Sequence, residues 1–221
     1  MKRYQSGFTL IEIAIVLVII GLLLGGVLKG QELINSAKVK NLATDFKNIP
    51  VYIYGYQDKF RALPGDDPAA TAHVSSTPQG NGNGIINGNW DSVTPADESV
   101  TFWLHVRLGQ FATGATIIPA TPTRTDPYFP LNAVSGRIGI ESGSANPPIA
   151  NLKGSYYICS EGILGKYVKQ LDLQMDNGDS TTGAMMAYQT PTTPAPRAAA
   201  TTGPAAVAPT DDLSYTVCMG V

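Results

Sequence analysis

The sequence predicts an α+β fold in which a long N-terminal helix packs on a small antiparallel sheet. Three observations predict it. The run Phe8–Leu28 is apolar apart from one charge, Glu12. Apolar side chains spaced three and four residues apart then continue as a one-sided stripe as far as Phe60. Finally, the C-terminal half contains short apolar runs separated by turn residues, the pattern of a small sheet.

The N-terminal run has the length of a membrane segment, because 21 helical residues rise about 30 Å, the thickness of a bilayer's hydrocarbon core. It shows no polar face, which disfavours a buried helix of a soluble domain. An ordinary secretory signal is also disfavoured, since no small-x-small site follows Leu28. The processing site that fits, Ser6-Gly7-Phe8, precedes the run, so cleavage there would leave the hydrophobic helix on the mature chain.

The residues Gly7 to Glu12 read GFTLIE, which closely resembles the processing motif of type IV prepilins and type II secretion pseudopilins. The resemblance implies a leader peptide of residues 1–7, cleavage after Gly7 by a membrane peptidase, and N-methylation of Phe8. It also implies assembly roles for Glu12, the fifth residue of the mature chain, and for Gly21, where many members have glycine.

Glu12 supports this interpretation on physical grounds. A carboxylate near the hydrocarbon costs about 3 kcal/mol, so it normally faces a partner. We expect that partner to be the Phe8 amine of a neighbouring subunit, with an attraction of about 4 kcal/mol at an effective dielectric near 20. Desolvation offsets much of this attraction, so the pair is expected to set register more than affinity. The alternative is an interfacial glutamate without a partner.

The predicted domains continue from the membrane helix, residues 8–28, into an amphipathic helix over residues 29–62. Pro50 is expected to bend this helix, and Val51–Tyr56 has an alternative interpretation as a short strand. No proline interrupts the apolar run, whose glycines favour close helix packing. The stripe that should face the rest of the fold comprises Val39, Leu42, Phe46, Ile49, Ile53, Tyr56 and Phe60.

Residues 63–221 are predicted to form the head. Turn residues end the long helix near Pro64, a loop extends to about residue 95, and Ala96–Gly109 is predicted to be helical. A helix on one face of an antiparallel sheet is a stable two-layer arrangement, and it is also what the pilin resemblance implies. The predicted strands are Arg137–Ile140, Ser155–Cys159, Gly183–Tyr188 and Leu213–Met219.

The two cysteines, Cys159 and Cys218, both fall in predicted strands. In an exported head they would form one disulfide worth about 4 kcal/mol, and many pilins staple a variable C-terminal region in this way. Two free buried thiols are the alternative. Inside this loop lies Thr190–Thr210, called the strap below, which is low in complexity and nearly uncharged. We expect it to be exposed and mobile.

We expect no cofactor, with one candidate exception, a structural calcium ion at Asp172, Asp176, Asn177 and Asp179. Calcium takes carboxylate and amide oxygens, and pilin-like heads sometimes carry it in this region. The alternative is an Asx turn before the next strand. The run Gly80–Gly84 is a weaker candidate, since it lacks acids.

Other function classes find little support. The net charge of −2, without any basic run, argues against a nucleic-acid partner. No nucleophile, Walker or dinucleotide motif is present, so we expect no enzyme. Of the two histidines, His73 is predicted to lie in a loop and His105 to be a partly buried structural residue.

The predicted function is therefore a structural subunit of a type IV pilus-like filament. The alternatives are a type II secretion pseudopilin and a pilin-anchored enzyme or binding module. Expected partners are copies of itself and other pilins, the prepilin peptidase and methyltransferase, an inner-membrane assembly platform, and lipid before assembly. The expected location is the inner membrane, with the head in the periplasm, and then an extracellular pilus or a periplasmic pseudopilus.

Overall fold

A computed structural model of the chain describes residue 7 and residues 9–143, 146–198 and 201–221. The chain divides into two compact units, Met1–Lys38 and Val39–Val221. Its fold is α+β, with a long apolar N-terminal helix and a four-stranded antiparallel sheet, which is a pilin-like architecture.

The first helix, α1, covers Leu10–Phe60, with Pro50 inside it. The alternative interpretation of Val51–Tyr56 as a strand is wrong, because these residues are helical. Proline removes one backbone hydrogen bond from a helix, and the packing of the apolar stripe on both sides of Pro50 compensates for that loss. The buried residues of α1 are Val39, Leu42, Ala43, Phe46, Ile49, Ile53 and Tyr56.

All four predicted strand segments form strands, in the order β1-β2-β4-β3 with antiparallel pairing throughout. The second strand continues past Cys159, with a register shift between Ser160 and Ile163. The extension to Leu164 was not predicted from the sequence, because Ser160, Glu161 and Gly162 interrupt the apolar run. The strands are β1 Ile138–Ser142, β2 Tyr156–Leu164, β3 Met185–Gln189 and β4 Ser214–Gly220.

Three shorter helices complete the fold: α2 Ala70–Val74, α3 Glu98–Leu108 and α4 Gly165–Met175. The predicted loop before residue 95 thus contains a helix, α2. The helix predicted over Ala96–Gly109 is confirmed as α3, but it is buried around its whole circumference rather than on one face. It therefore lies inside the second unit, and the main core combines its apolar residues with those of α1, α4 and the sheet.

The predicted disulfide is confirmed. Cys159 and Cys218 lie directly opposite each other on β2 and β4, with a Cα–Cα distance of 4.1 Å, and their sulfurs are bonded. A second apolar cluster, which includes Trp90 and Tyr157, surrounds this bond. The sheet itself thus positions the two thiols, since cross-strand neighbours lie within bonding reach.

The described residues of the strap are largely exposed, as expected, and several of them are hydrogen-bonded to the head, while the expected mobility stays a prediction. The backbone bonds of the strap include Gly203 N–H to Pro147 O at 2.8 Å and Val207 N–H to Ala187 O at 2.8 Å. The only charged residue of the strap, Arg197, is also tied down by side-chain hydrogen bonds. Composition could not reveal this attachment, because it is made mainly by backbone groups that every residue carries.

Candidate functional site

The N-terminal end of α1 is closed by a reciprocal pair of bonds between Thr9 and Glu12. Thr9 donates to Glu12 Oε2 from both its N–H and its hydroxyl, each at 2.8 Å, and Glu12 N–H donates to Thr9 Oγ1 at 3.3 Å. This is a capping box, which satisfies backbone donors that a helix start leaves unpaired. Sequence reasoning missed this local partner of Glu12, although the pattern T-x-x-E before an apolar run signals it.

The capping box gives the Glu12 carboxylate a defined position. It lies in the first turn of α1, where the helix dipole favours a negative charge. Among the described residues, its second oxygen, Oε1, makes no hydrogen bond, which leaves it free for a partner from outside. Gly7 is exposed and precedes the helix. Phe8 lies outside the described residues, so the predicted bond between its amine and Glu12 stays a prediction.

The first part of α1 exposes its apolar side chains on every side. Each residue from 9 to 28 is exposed, with Leu22 at 72% and Leu28 at 67%. Within the described part of the chain, α1 is the one helix long and apolar enough, by length and composition, to cross a membrane. A continuous apolar surface of this kind requires lipid or protein around it.

No contact with the described residues requires glycine at the three glycine positions of this apolar segment. A Cβ atom added at Gly21, Gly25 or Gly26 would meet nothing within 4 Å. Glycine costs up to about 1 kcal/mol in a helix relative to alanine. If these positions have a packing reason, it must come from atoms outside this chain, and small residues in membrane helices permit close approach of a second helix.

The predicted calcium region forms the Asx turns that were the alternative interpretation. Asp176 Oδ2 accepts bonds from Ala184 N–H at 2.7 Å and Met185 N–H at 3.0 Å. Asn177 Oδ1 accepts from the N–H of Asp179 at 2.8 Å. Asp179 Oδ1 in turn accepts from the backbone and hydroxyl of Thr181. These oxygens already hold the turn together.

Asp172, the fourth residue of the predicted calcium site, behaves differently. Its side chain is fully buried, and neither carboxylate oxygen has a hydrogen-bond partner. Burial, reinforced by the charges of Asp176 and Asp179 and opposed by the nearby backbone N–H of Gly178, raises the pKa of Asp172 to about 6. No group of three or more His, Cys, Asp or Glu side chains in the described residues could hold a metal ion. Only Asp172 offers an unused carboxylate, and calcium at this site stays a prediction.

The weaker calcium candidate, Gly80–Gly84, is instead organised by two carboxylates from outside the run. Asp66 accepts bonds from Asn83 N–H at 3.0 Å and Gly84 N–H at 2.7 Å. Glu98 accepts a bond from Asn81 N–H at 2.9 Å. The loop thus wraps its backbone donors around acids that the sequence places far away.

His105 is buried completely, as a structural histidine should be. Its Nδ1 accepts a bond from Gly65 N–H at 3.0 Å, and its Nε2 lies 3.3 Å from Pro78 O. Burial lowers the pKa of His105, which favours the neutral ring.

His73 lies in α2 rather than in a loop, and its Nδ1 is 2.8 Å from Asp67 Oδ2. The Tyr56 hydroxyl donates to the same oxygen at 2.7 Å. This Tyr-Asp-His network borders a cavity of about 600 Å³ whose lining contains no serine, threonine, cysteine or lysine. Sequence reasoning missed this network because Tyr56 and His73 lie in different helices.

The structure combines three pilin-like features. These are an apolar helix that is exposed along its first part, an acid in the capping box of that helix, and an α+β head with one disulfide. The family model of the prokaryotic N-terminal methylation motif matches residues 2–28, the segment that contains Gly7, Phe8, Glu12 and Gly21. This motif is the signature of type IV pilins and pseudopilins, and it supports that class for this chain. No curated protein and no solved structure matches the chain.

The motif carries implications that are common to pilins and pseudopilins. It implies processing by a prepilin peptidase and assembly into filaments. Proteins with the motif are structural rather than enzymatic. The apolar helix and the motif together fit anchoring in a membrane before assembly.

Proposed function

We propose that this protein is a structural subunit of a type IV pilus, cleaved after Gly7 and polymerised through the first part of α1. The observation that carries the proposal is the match of the methylation motif to an apolar helix whose surface is left uncovered by its own chain. The staple between Cys159 and Cys218 favours a pilus over a secretion pseudopilus, because pseudopilin heads tend to be shorter and to lack a stapled C-terminal loop.

Assembly exchanges one apolar environment for another. In the membrane the exposed side chains of residues 9–28 contact lipid, and in a filament they contact the same segment of other subunits. Because neither state exposes them to water, the hydrophobic effect alone supplies little net driving force. Polymerisation therefore depends on close packing and on polar contacts, with energy from a separate ATPase. Gly21, Gly25 and Gly26 would supply the close approach.

Glu12 is the polar contact in this proposal. The capping box holds its Oε2 on Thr9 and leaves Oε1 unused. The Phe8 amine of an incoming subunit would bind the unused Oε1 of this carboxylate. Since a charge in hydrocarbon is costly until it is paired, subunits shifted by one helical turn would leave both charges unpaired. Glu12 would thus select the axial register between neighbouring subunits of the filament.

The disulfide supports one orientation of the chain in the membrane. Charge counting alone is ambiguous, because Lys2 and Arg3 precede the apolar run and Lys29 follows it. A stable disulfide requires an oxidising compartment, which in this setting is the periplasm. The disulfide thus supports the proposal that the head lies in the periplasm and the leader in the cytoplasm.

Mass spectrometry of the chain purified from its native membranes tests processing. We expect loss of Met1 to Gly7 and the mass of one added methyl group on Phe8. An intact leader would overturn the proposal.

A Glu12→Leu variant tests assembly. We expect normal membrane insertion but at least tenfold fewer sheared filaments, while the exposed acid Glu32, changed to Gln, serves as the matched control. Normal filament yield from Glu12→Leu would contradict the role of this acid. Processed protein confined to periplasmic filaments, with none on the cell surface, would favour the pseudopilin alternative.

A further inference from the structure

The strap and the sheet enclose a cavity of about 380 Å³, called the strap cavity below. Its volume lies within the range of small-molecule sites, about 300 to 1,000 Å³. The polar part of its lining comes from β2, β3, β4, two distant loops, and Thr190 and Arg197 of the strap. The apolar part comes mainly from the strap, with two aromatic side chains, Trp90 and Tyr188. The strap residues are Pro191, Pro194, Ala195, Pro204, Ala205 and Val207.

A guanidinium bridging two acids forms the polar side of the strap cavity. Arg124 Nη1 bonds Asp91 Oδ2 at 3.0 Å, and Arg124 Nη2 bonds Glu161 Oε2. The Arg124 and Glu161 side chains each keep 15% of their surface exposed. Within the described residues, Arg124 Nε and Glu161 Oε1 make no hydrogen bond. Glu161 therefore retains one acceptor oxygen, and Arg124, whose guanidinium has five N–H groups, retains donors at the strap cavity.

The charges that line the strap cavity cancel. Asp91 and Glu161 contribute two negative charges, and Arg124 and Arg197 contribute two positive charges. An anionic ligand would compete with both acids for the arginines, and a cationic ligand would compete with both arginines for the acids. A purely apolar ligand would cover the remaining polar atoms without bonding them, which is costly.

The strap wall of the cavity is held in place before any ligand arrives. Arg197 N–H donates to Asp91 Oδ2 at 2.9 Å, and its Nη2 donates to Glu141 Oε1 at 2.5 Å. Its Nη1 also donates to Pro147 O at 2.8 Å. A preformed wall reduces the entropy that binding must otherwise spend on ordering a loop.

We propose that the strap cavity binds a neutral saccharide. Adjacent hydroxyl groups of a sugar ring can donate to Glu161 Oε1 and accept from Arg124 Nε at the same time. The C–H face of the ring suits the Tyr188 side chain and the prolines of the strap. This combination of apolar walls, fixed polar atoms and zero net charge matches an uncharged polyhydroxylated ligand and no charged one. The inference stands apart from filament formation.

The test uses the full chain in a detergent without a sugar headgroup, applied to a printed panel of neutral, sialylated and sulfated glycans. We expect binding to neutral glycans, confirmed by titration calorimetry with the best soluble glycan. Tyr188→Ala and Glu161→Gln should each weaken binding at least tenfold, whereas Tyr188→Phe should retain it. Asp211→Asn, at an exposed acid paired with Lys169, is the matched control and should bind normally.

A variant that fills the cavity tests the site without removing any of its contacts, so that loss of binding can be distinguished from misfolding. Ala195 is exposed on the strap and lines the cavity, so Ala195→Trp should block the site while the head stays folded and disulfide-bonded. We expect this variant to abolish glycan binding with an unchanged thermal midpoint. Absence of binding to every neutral glycan, preference for sialylated or sulfated glycans, or unchanged binding by Ala195→Trp would each overturn the proposal.

Discussion

Glycines in the two units of this protein are used in opposite ways. In the apolar part of α1, a Cβ added at Gly21 or Gly25 meets nothing within 4 Å. In the second unit, a Cβ at Gly139 would lie 2.0 Å from Trp90 O, and one at Gly203 would lie 1.7 Å from Pro148 O. The second unit is therefore packed against itself, whereas the apolar segment leaves room that only molecules outside the chain can fill.

Acidic residues show the same contrast. Among the described residues, Glu12 bonds only its neighbour Thr9. Glu141 is buried in the second unit, where it accepts bonds from Trp90 N–H and Arg197. Burial raises the pKa of Glu141 to about 7, against the opposing effect of Arg197. One acid is satisfied by its own fold, and the other retains bonding capacity for a partner.

The largest expected effect on stability comes from the disulfide. Changing both cysteines, as Cys159→Ser with Cys218→Ser, should lower the free energy of unfolding by about 4 kcal/mol, because a closed loop spanning 59 residues is released in the unfolded chain. Denaturation of the full chain in detergent, followed by tryptophan fluorescence, measures it. A decrease in the free energy of unfolding below about 1 kcal/mol would contradict the view that the head depends on its disulfide for stability.

Gly139→Ala should cost about 3 kcal/mol, since the new methyl group would collide with the backbone of Trp90 and that segment must move. The same denaturation measurement applies, with the disulfide left intact. A cost below about 1 kcal/mol would mean that the second unit can rearrange easily to admit the methyl group. That result would weaken the contrast between the two units.

Asp172→Asn should stabilise the protein at neutral pH by about 1–3 kcal/mol. The folded pKa of Asp172 is raised to about 6 from an ordinary value of 3.8, so the folded state favours the neutral acid. Wild-type stability should therefore fall as pH rises from about 4 to about 6, and then level off, whereas the variant should lack this step. Chemical denaturation between pH 4 and pH 8 measures the difference.

Bound calcium would reverse the relative stabilities of the wild-type protein and Asp172→Asn at neutral pH. If calcium binds at Asp172, its addition at neutral pH should stabilise the wild-type protein but leave Asp172→Asn unchanged, and a chelator should remove the gain. An identical response of both proteins to calcium would contradict the predicted site.

The smallest expected effect on the head is that of Gly25→Ala. Because the added methyl group meets open space, the unfolding of the second unit should change by less than about 0.5 kcal/mol. Filament yield should fall, however, if a neighbouring helix packs at this position. An unchanged yield from both Gly25→Ala and the bulkier Gly25→Leu would show that the glycine has no packing role.

Sequence reasoning succeeded where the signal is local or where few choices exist. The stripe from Val39 to Tyr56 is periodic, so its burial could be predicted. Cys159 and Cys218 are the only two cysteines, which left one pairing to predict. The capping box at Thr9 also has a local signature and could have been found.

Other features depend on contacts between distant segments and had no such signal. Helix α2 is short, and its His73 meets Asp67 through a network that also needs Tyr56 from α1. The strap is fixed by Arg197, whose partners come from loops and a strand that lie far away along the chain. The strap cavity exists only because these segments converge.

The sequence by itself determined the membrane-length helix, its processing motif and the number of possible disulfides, because hydrophobic length, short motifs and cysteine count are properties of neighbouring or rare residues. Only the tertiary structure decided that a low-complexity strap becomes an anchored wall and that Asp172 is buried without a partner. Those outcomes depend on which groups meet across the fold. Backbone amides and carbonyls, together with the Arg197 side chain, hold the strap, and the packing of distant segments buries Asp172.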